Sequence, residues 1–136
     1  MHISTLVAEV LKVVETLRER IGDLVLAMLY SSSEGATSSW NLIVSAPWAD
    51  KLGVVVATRA ITHELSLGLD LENRSAISRV TVLKTSDPFV RDMTALFQVS
   101  DPGTRLPISN VARDGIPVGS RYVFYSQPNL LAQISA

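Results

Sequence analysis

Seven consecutive apolar residues, Leu24 to Tyr30 (LVLAMLY), constrain this chain more than any other stretch. The run is too short for a surface helix, and it is bounded by Gly22-Asp23 on one side and by serines on the other. A segment with no polar face must be covered on both sides, so it reads as a strand buried centrally in a sheet. Trp40 to Ala46 offers a neighbour: Trp40, Leu42 and Val44 alternate with Asn41, Ile43 and Ser45, the period of a strand with two unequal faces. The two runs are expected to pair as an antiparallel hairpin. Pro47 has no ladder donor and ends the second strand.

Around this pair the chain alternates between periods. Ile3, Leu6, Val7, Val10, Leu11, Val14, Leu17 and Ile21 recur at three- and four-residue spacing opposite Glu9, Lys12, Glu15 and Glu19, which predicts an amphipathic helix capped by Ser4 and stopped near Gly22. From Leu52 to Leu67 two signals compete. Val54-Val55-Val56 favours a strand locally, while Ala57, Ala60, Ile61 and Leu65 continue a helical face, and the longer pattern predicts a helix followed by the polar connection LDLENRSA, with one helical turn allowed.

Ile77 to Thr85 reads as a strand by β-branched content. Asp87-Pro88 marks a helix start, because Asp accepts from an orphan amide and Pro fills a position that needs no donor. Phe89, Val90, Met93, Leu96 and Phe97 form that helix's expected buried stripe, and Asp101-Pro102-Gly103 a turn. Leu106 to Val111 and Arg121 to Ser126 are expected to pair, the latter (RYVFYS) as an edge strand. The order αββαβαββ predicts an α/β fold bordering on α+β: one layer of mixed sheet covered by three helices. Residues 1–136 form one domain, with a tail from about residue 127.

Bulk composition narrows the chemistry. At 136 residues, folding buries roughly two thirds of the surface of the extended chain, enough for a core without staples. The absence of cysteine removes disulfides, thiolate nucleophiles and cysteine-held metals, and makes a reducing cytoplasm the expected compartment. Twelve basic and thirteen acidic side chains are scattered along the chain, so neither a nucleic-acid footprint nor a membrane surface is expected. The first twenty residues interrupt their apolar positions with Glu9, Lys12 and Glu15, unlike a signal peptide or a membrane span. An apolar fraction of 47% is high for so small an interior and predicts a homo-oligomer.

The run Ser31 to Ser39 (SSSEGATSS) tests a phosphate-loop reading. Such a loop aims backbone amides and a following helix at an anion, whereas this run enters a strand, holds only Gly35, has no lysine and carries Glu34. It reads as a hairpin loop, longer than usual. Strand, serine-bearing loop, SSWNLIV and then helix resembles the core of the minimal nucleotidyltransferases, in which a Gly-Ser loop precedes two alternating aspartates on the next strand. The positions matching those aspartates are Ser39 and Asn41, and neither holds magnesium as a carboxylate does. The resemblance therefore implies a degenerate relative without metal-dependent transfer. SAPWADK, ISRVTVL and SDPFV also resemble recurrent segments of small bacterial α/β proteins, a resemblance that implies no activity.

Other constellations are incomplete. His63 (THELS) has Leu67 where a zinc-protease helix needs its second histidine, and reads as a helix-surface residue. Gly-x-Ser-x-Gly, Ser-x-x-Lys, Gly-x-Gly-x-x-Gly and Gly-Lys phosphate loops do not occur. Asp50, Asp70, Glu72, Asp87 and Asp92 are better placed as caps and surface charges than as an acid/base pair. Trp40 reads as core, and Trp48 as a residue at the sheet's end, facing the core or a partner. No catalytic residue, metal ligand or cofactor is assigned. The leading expectation is a non-catalytic interaction or assembly module. The alternative is a degenerate nucleotidyltransferase-like domain binding a small molecule or nucleotide, with Ser31, Ser32, Asn41, Trp48 and Asp50 near its pocket.

Overall fold

The computed structural model describes residues 3–31, 39–99, 106–109, 112–113, 116–117 and 120–127. The first helix, α1 (Ile3–Arg20), buries Leu6, Val7, Val10, Val14 and Leu17 of the face its periodicity marks out and adds Val13, while Leu11 is half-buried and Ile21, past the helix end, is exposed. Ser4 lies within this helix rather than at its cap. Strands β1 (Leu26–Ser31) and β2 (Trp40–Ser45) pair antiparallel, with Leu26 opposite Ser45 and Tyr30 opposite Asn41.

Three helices then follow in close succession: α2 (Pro47–Leu52), α3 (Val54–Gly68) and α4 (Leu71–Ala76). Pro47 occupies the first turn of α2, where its missing N–H is no loss. Gly53 separates α2 from α3 at φ 89° and ψ 159°, a conformation open in practice only to glycine. Asp70 caps α4 by accepting from the Asn73 amide at 2.8 Å. After β3 (Ile77–Val82), Asp87 accepts from the Phe89 amide at 2.8 Å and opens α5 (Pro88–Leu96), as the Asp-Pro pair predicts. Strands β4 (Leu106–Ser109) and β7 (Ser120–Ser126) pair antiparallel, and β5 (Ala112–Arg113) with β6 (Ile116–Pro117) makes a separate two-stranded ribbon.

The main sheet has the order β3-β2-β1-β7-β4, with β2 and β3 parallel and the other pairs antiparallel. It is the mixed sheet of a small α/β fold, and β1 is its middle strand. The three expected helices are α1, α3 and α5, to which the chain adds the single-turn-scale α2 and α4. Ala27, Leu29, Leu42, Val44 and Phe124 pack under α1 and under Ala57, Ile61 and Leu65 of α3. Leu26, Met28, Ile43 and Val123 pack on the opposite face under Val90 and Met93 of α5. LVLAMLY thus has a hydrophobic layer on each side.

Two expectations are corrected. RYVFYS is an interior strand between β1 and β4, because its inward-facing Val123 and Phe124 fill the two faces beside β1 and are fully buried. Leu96 is 73% exposed at the end of α5, whose buried residues are Val90, Met93 and Thr94, so the stripe is narrower than expected. The Asp101-Pro102-Gly103 turn and the tail from residue 128 lie outside the described residues. No described helix is long and apolar enough to cross a membrane.

Candidate functional site

Parallel strands β2 and β3 send their chains to opposite sides of the sheet. The connection after β2 runs through α2 and α3 on the α1 face, and the one after β3 enters α5 on the other. Adjacent parallel strands whose connections diverge leave a crevice outside their carboxyl ends, the usual ligand position in open α/β sheets. Here that end is built from Ser45 and Ala46 at the end of β2, Trp48 and Asp50 on α2, and Thr85 in the turn after β3.

Asp50, exposed on α2, reaches across this end to the turn after β3. Its carboxylate accepts from the Thr85 hydroxyl at 2.6 Å and from the Thr85 amide at 3.2 Å. Both oxygens are therefore committed to a clamp that ties α2 to the turn preceding α5. Thr85 is itself buried, so the clamp satisfies two groups that would otherwise be stranded away from water.

The five residues expected around one pocket are not gathered together. Ser31 and Asn41 lie where β1 ends and β2 begins, whereas Trp48 and Asp50 lie beyond the other end of β2. Asn41 and Ala46 are five strand residues apart, roughly 16 Å at about 3.3 Å per residue. Ser32 lies outside the described residues. The positions that match the transferase aspartates are engaged with β3: the Ser39 hydroxyl donates to Ser78 Oγ at 2.7 Å, and Asn41 Oδ1 accepts from the Thr81 hydroxyl at 2.9 Å. Among the described residues no group of three or more His, Asp or Glu side chains is placed to hold a metal ion.

Three buried polar atoms have no hydrogen-bond partner among the described residues: Arg18 Nε, Ser45 Oγ and Trp48 Nε1. The Trp48 ring packs on the α1 face against Gly22, where an added Cβ would meet its Cδ1 at 3.1 Å. Arg18 stands over the Tyr125 ring on that face, 4.4 Å from its centroid. Ser45 belongs to the α5 face by alternation with Ile43 and is fully buried. Sequence reasoning passed over Thr85 and Ser45, because a lone hydroxyl residue has no periodicity to mark it. His63 is exposed on α3, in line with its expected surface position. No protein-family model, curated protein or solved structure matches this chain.

Proposed function

We propose that this chain is a non-catalytic interaction or assembly module, a homo-oligomer acting in the cytoplasm, whose contacts are made by side chains on its helical surface. The observation that carries this reading is the density of exposed aliphatic residues along α2, α3 and α4. Leu52, Val54, Val55 and Val56 fall within five residues and are each about half exposed or more, and Leu67 and Leu71 add to them. Scattered apolar residues are ordinary on a surface, and it is the concentration of four exposed ones within five residues that sets this stretch apart. The polar groups of the expected pocket support the same reading, since Asn41 and Asp50 are engaged in holding strands and turns together. Sedimentation equilibrium is expected to give a mass above the 14.8 kDa of one chain. A monomer throughout the micromolar range would remove the homo-oligomer.

A second reading, a degenerate nucleotidyltransferase-like domain that binds a small molecule or nucleotide, draws on the unpartnered Trp48 Nε1 and Ser45 Oγ at the strand ends. A ligand acceptor would satisfy either donor. A panel of nucleotides with and without magnesium, read by thermal shift, is expected to raise the melting temperature if this reading holds. A flat panel would exclude it.

A further inference from the structure

We infer that Arg79 is a charged guard on β3, keeping this edge of the sheet from pairing with β3 of a second copy. The inference goes beyond the assembly reading and limits it, since contacts between copies then leave the sheet at its five strands. β3 stands at the end of the order β3-β2-β1-β7-β4 and pairs with β2 alone among the described residues. The Leu83 amide donates to the Val44 carbonyl at 3.0 Å. Peptide groups along a strand alternate sides, so those of Thr81 also turn to β2, and those of Val80 and Val82 turn outward. Outward groups of this kind are a template for another strand.

The segment is of the kind that pairs with itself. Ile77 to Leu83 (ISRVTVL) is rich in β-branched residues, has neither proline nor glycine, and carries a single charge, Arg79. High β propensity with low charge marks self-pairing segments, and one charge is the usual brake on them. Arg79 is exposed and has no carboxylate partner among the described residues. In an antiparallel pair of β3 strands centred on Arg79, the two arginines stand directly opposite. Centred on Val80, they are diagonal neighbours about 7–8 Å apart. Both arrangements set like charges together with nothing to offset them.

A bulge adds to the protection. Trp40 pairs with Ile77 and Asn41 with Arg79, so Ser78 is the extra residue on β3. Its hydroxyl donates to the Trp40 carbonyl at 3.2 Å and accepts from the Ser39 hydroxyl at 2.7 Å, which pins the bulge in place. Val82 is buried at the other end, so the regular, open part of the edge is short and begins at the charge itself. The same bulge turns Arg79 to the face of Asn41, away from the core side on which Val80 and Val82 pack. An arginine therefore stands on this strand without being forced into the core.

Sedimentation velocity at about 100 µM, with amide hydrogen exchange on the same samples, tests the guard. Arg79→Val is expected to self-associate at a concentration at least tenfold below any at which the wild type gains the same mass, with its melting temperature not lowered. The Val80 amide is expected to exchange freely in the wild type and to become protected in the associated variant. Arg79→Lys, which keeps the charge, and Arg91→Val, which removes an equally exposed one on α5, are expected to behave as wild type. An Arg79→Val variant indistinguishable from the wild type would overturn the inference. So would association that leaves the Val80 amide unprotected, or that Arg91→Val reproduces. The mass of the wild type itself bears on the homo-oligomer and leaves the guard untouched.

Discussion

Gly68 ends α3 beside α1, and a Cβ at that position would lie 2.6 Å from Cγ2 of Val13, which is buried and stiff. Alanine would gain about 1 kcal/mol of helix propensity there, but the overlap is too deep for Val13 to yield, and overpacking costs roughly 1–3 kcal/mol. Gly68→Ala is therefore expected to lower the urea midpoint, with Val13→Ala restoring part of the loss in the double variant. The carboxylate of Asp50 illustrates a second residue-scale effect. Removing it in Asp50→Ala leaves the buried Thr85 amide and hydroxyl without their acceptor, a loss of about 1–3 kcal/mol. Adding Thr85→Val to that variant should cost little more, and a double-mutant cycle showing additive losses would contradict the clamp. Sequence reasoning named Asp50 and Trp48 as candidate pocket residues, with only Trp48 expected at the sheet's end. The partner of Asp50 was hidden, because Thr85 is thirty-five residues away and nothing local links them.

At the scale of elements, legibility followed length. The 18 residues of α1 and the 15 of α3 display their faces over several turns, while the six-residue α2 and α4 are too short for a period to emerge. The contest over Val54-Val55-Val56 was decided by packing. Ala57, Ile61 and Leu65 are held against α1 and the sheet, and the three valines are carried along as exposed members of the first turn despite their preference for strands. Asp87-Pro88 needed no tertiary help, since cap and first-turn proline act within three residues. Asp87→Ala is expected to cost about 1 kcal/mol in chemical denaturation, and Asp87→Ser much less, because a serine oxygen still accepts from the Phe89 amide.

For the molecule as a whole, the decisive event is the arrival of β7 beside β1. Phe124 packs under α1 and α3 and Val123 under α5, so one strand completes the hydrophobic layers on both faces. Deleting Ser120 to Ala136 would expose the full edge of the central strand and remove two buried side chains worth roughly 1.5–3 kcal/mol each. The truncated chain is expected to lose its cooperative unfolding transition and to aggregate; a sharp calorimetric peak from it would contradict this account. By itself the sequence determined that the chain is a small α/β unit with LVLAMLY at its centre, which helices are long, and where the last of them starts. Periodicity and caps are local, and an unbroken apolar run admits only a position covered on both sides. Only the tertiary structure decided that RYVFYS is interior, that α3 and α5 take opposite faces, and that Ser31 and Asn41 lie far from Trp48 and Asp50. A strand's alternation reports which of its own faces is apolar and says nothing about which strand will lie next to it, since that choice depends on how all the buried faces of the chain can be covered at once.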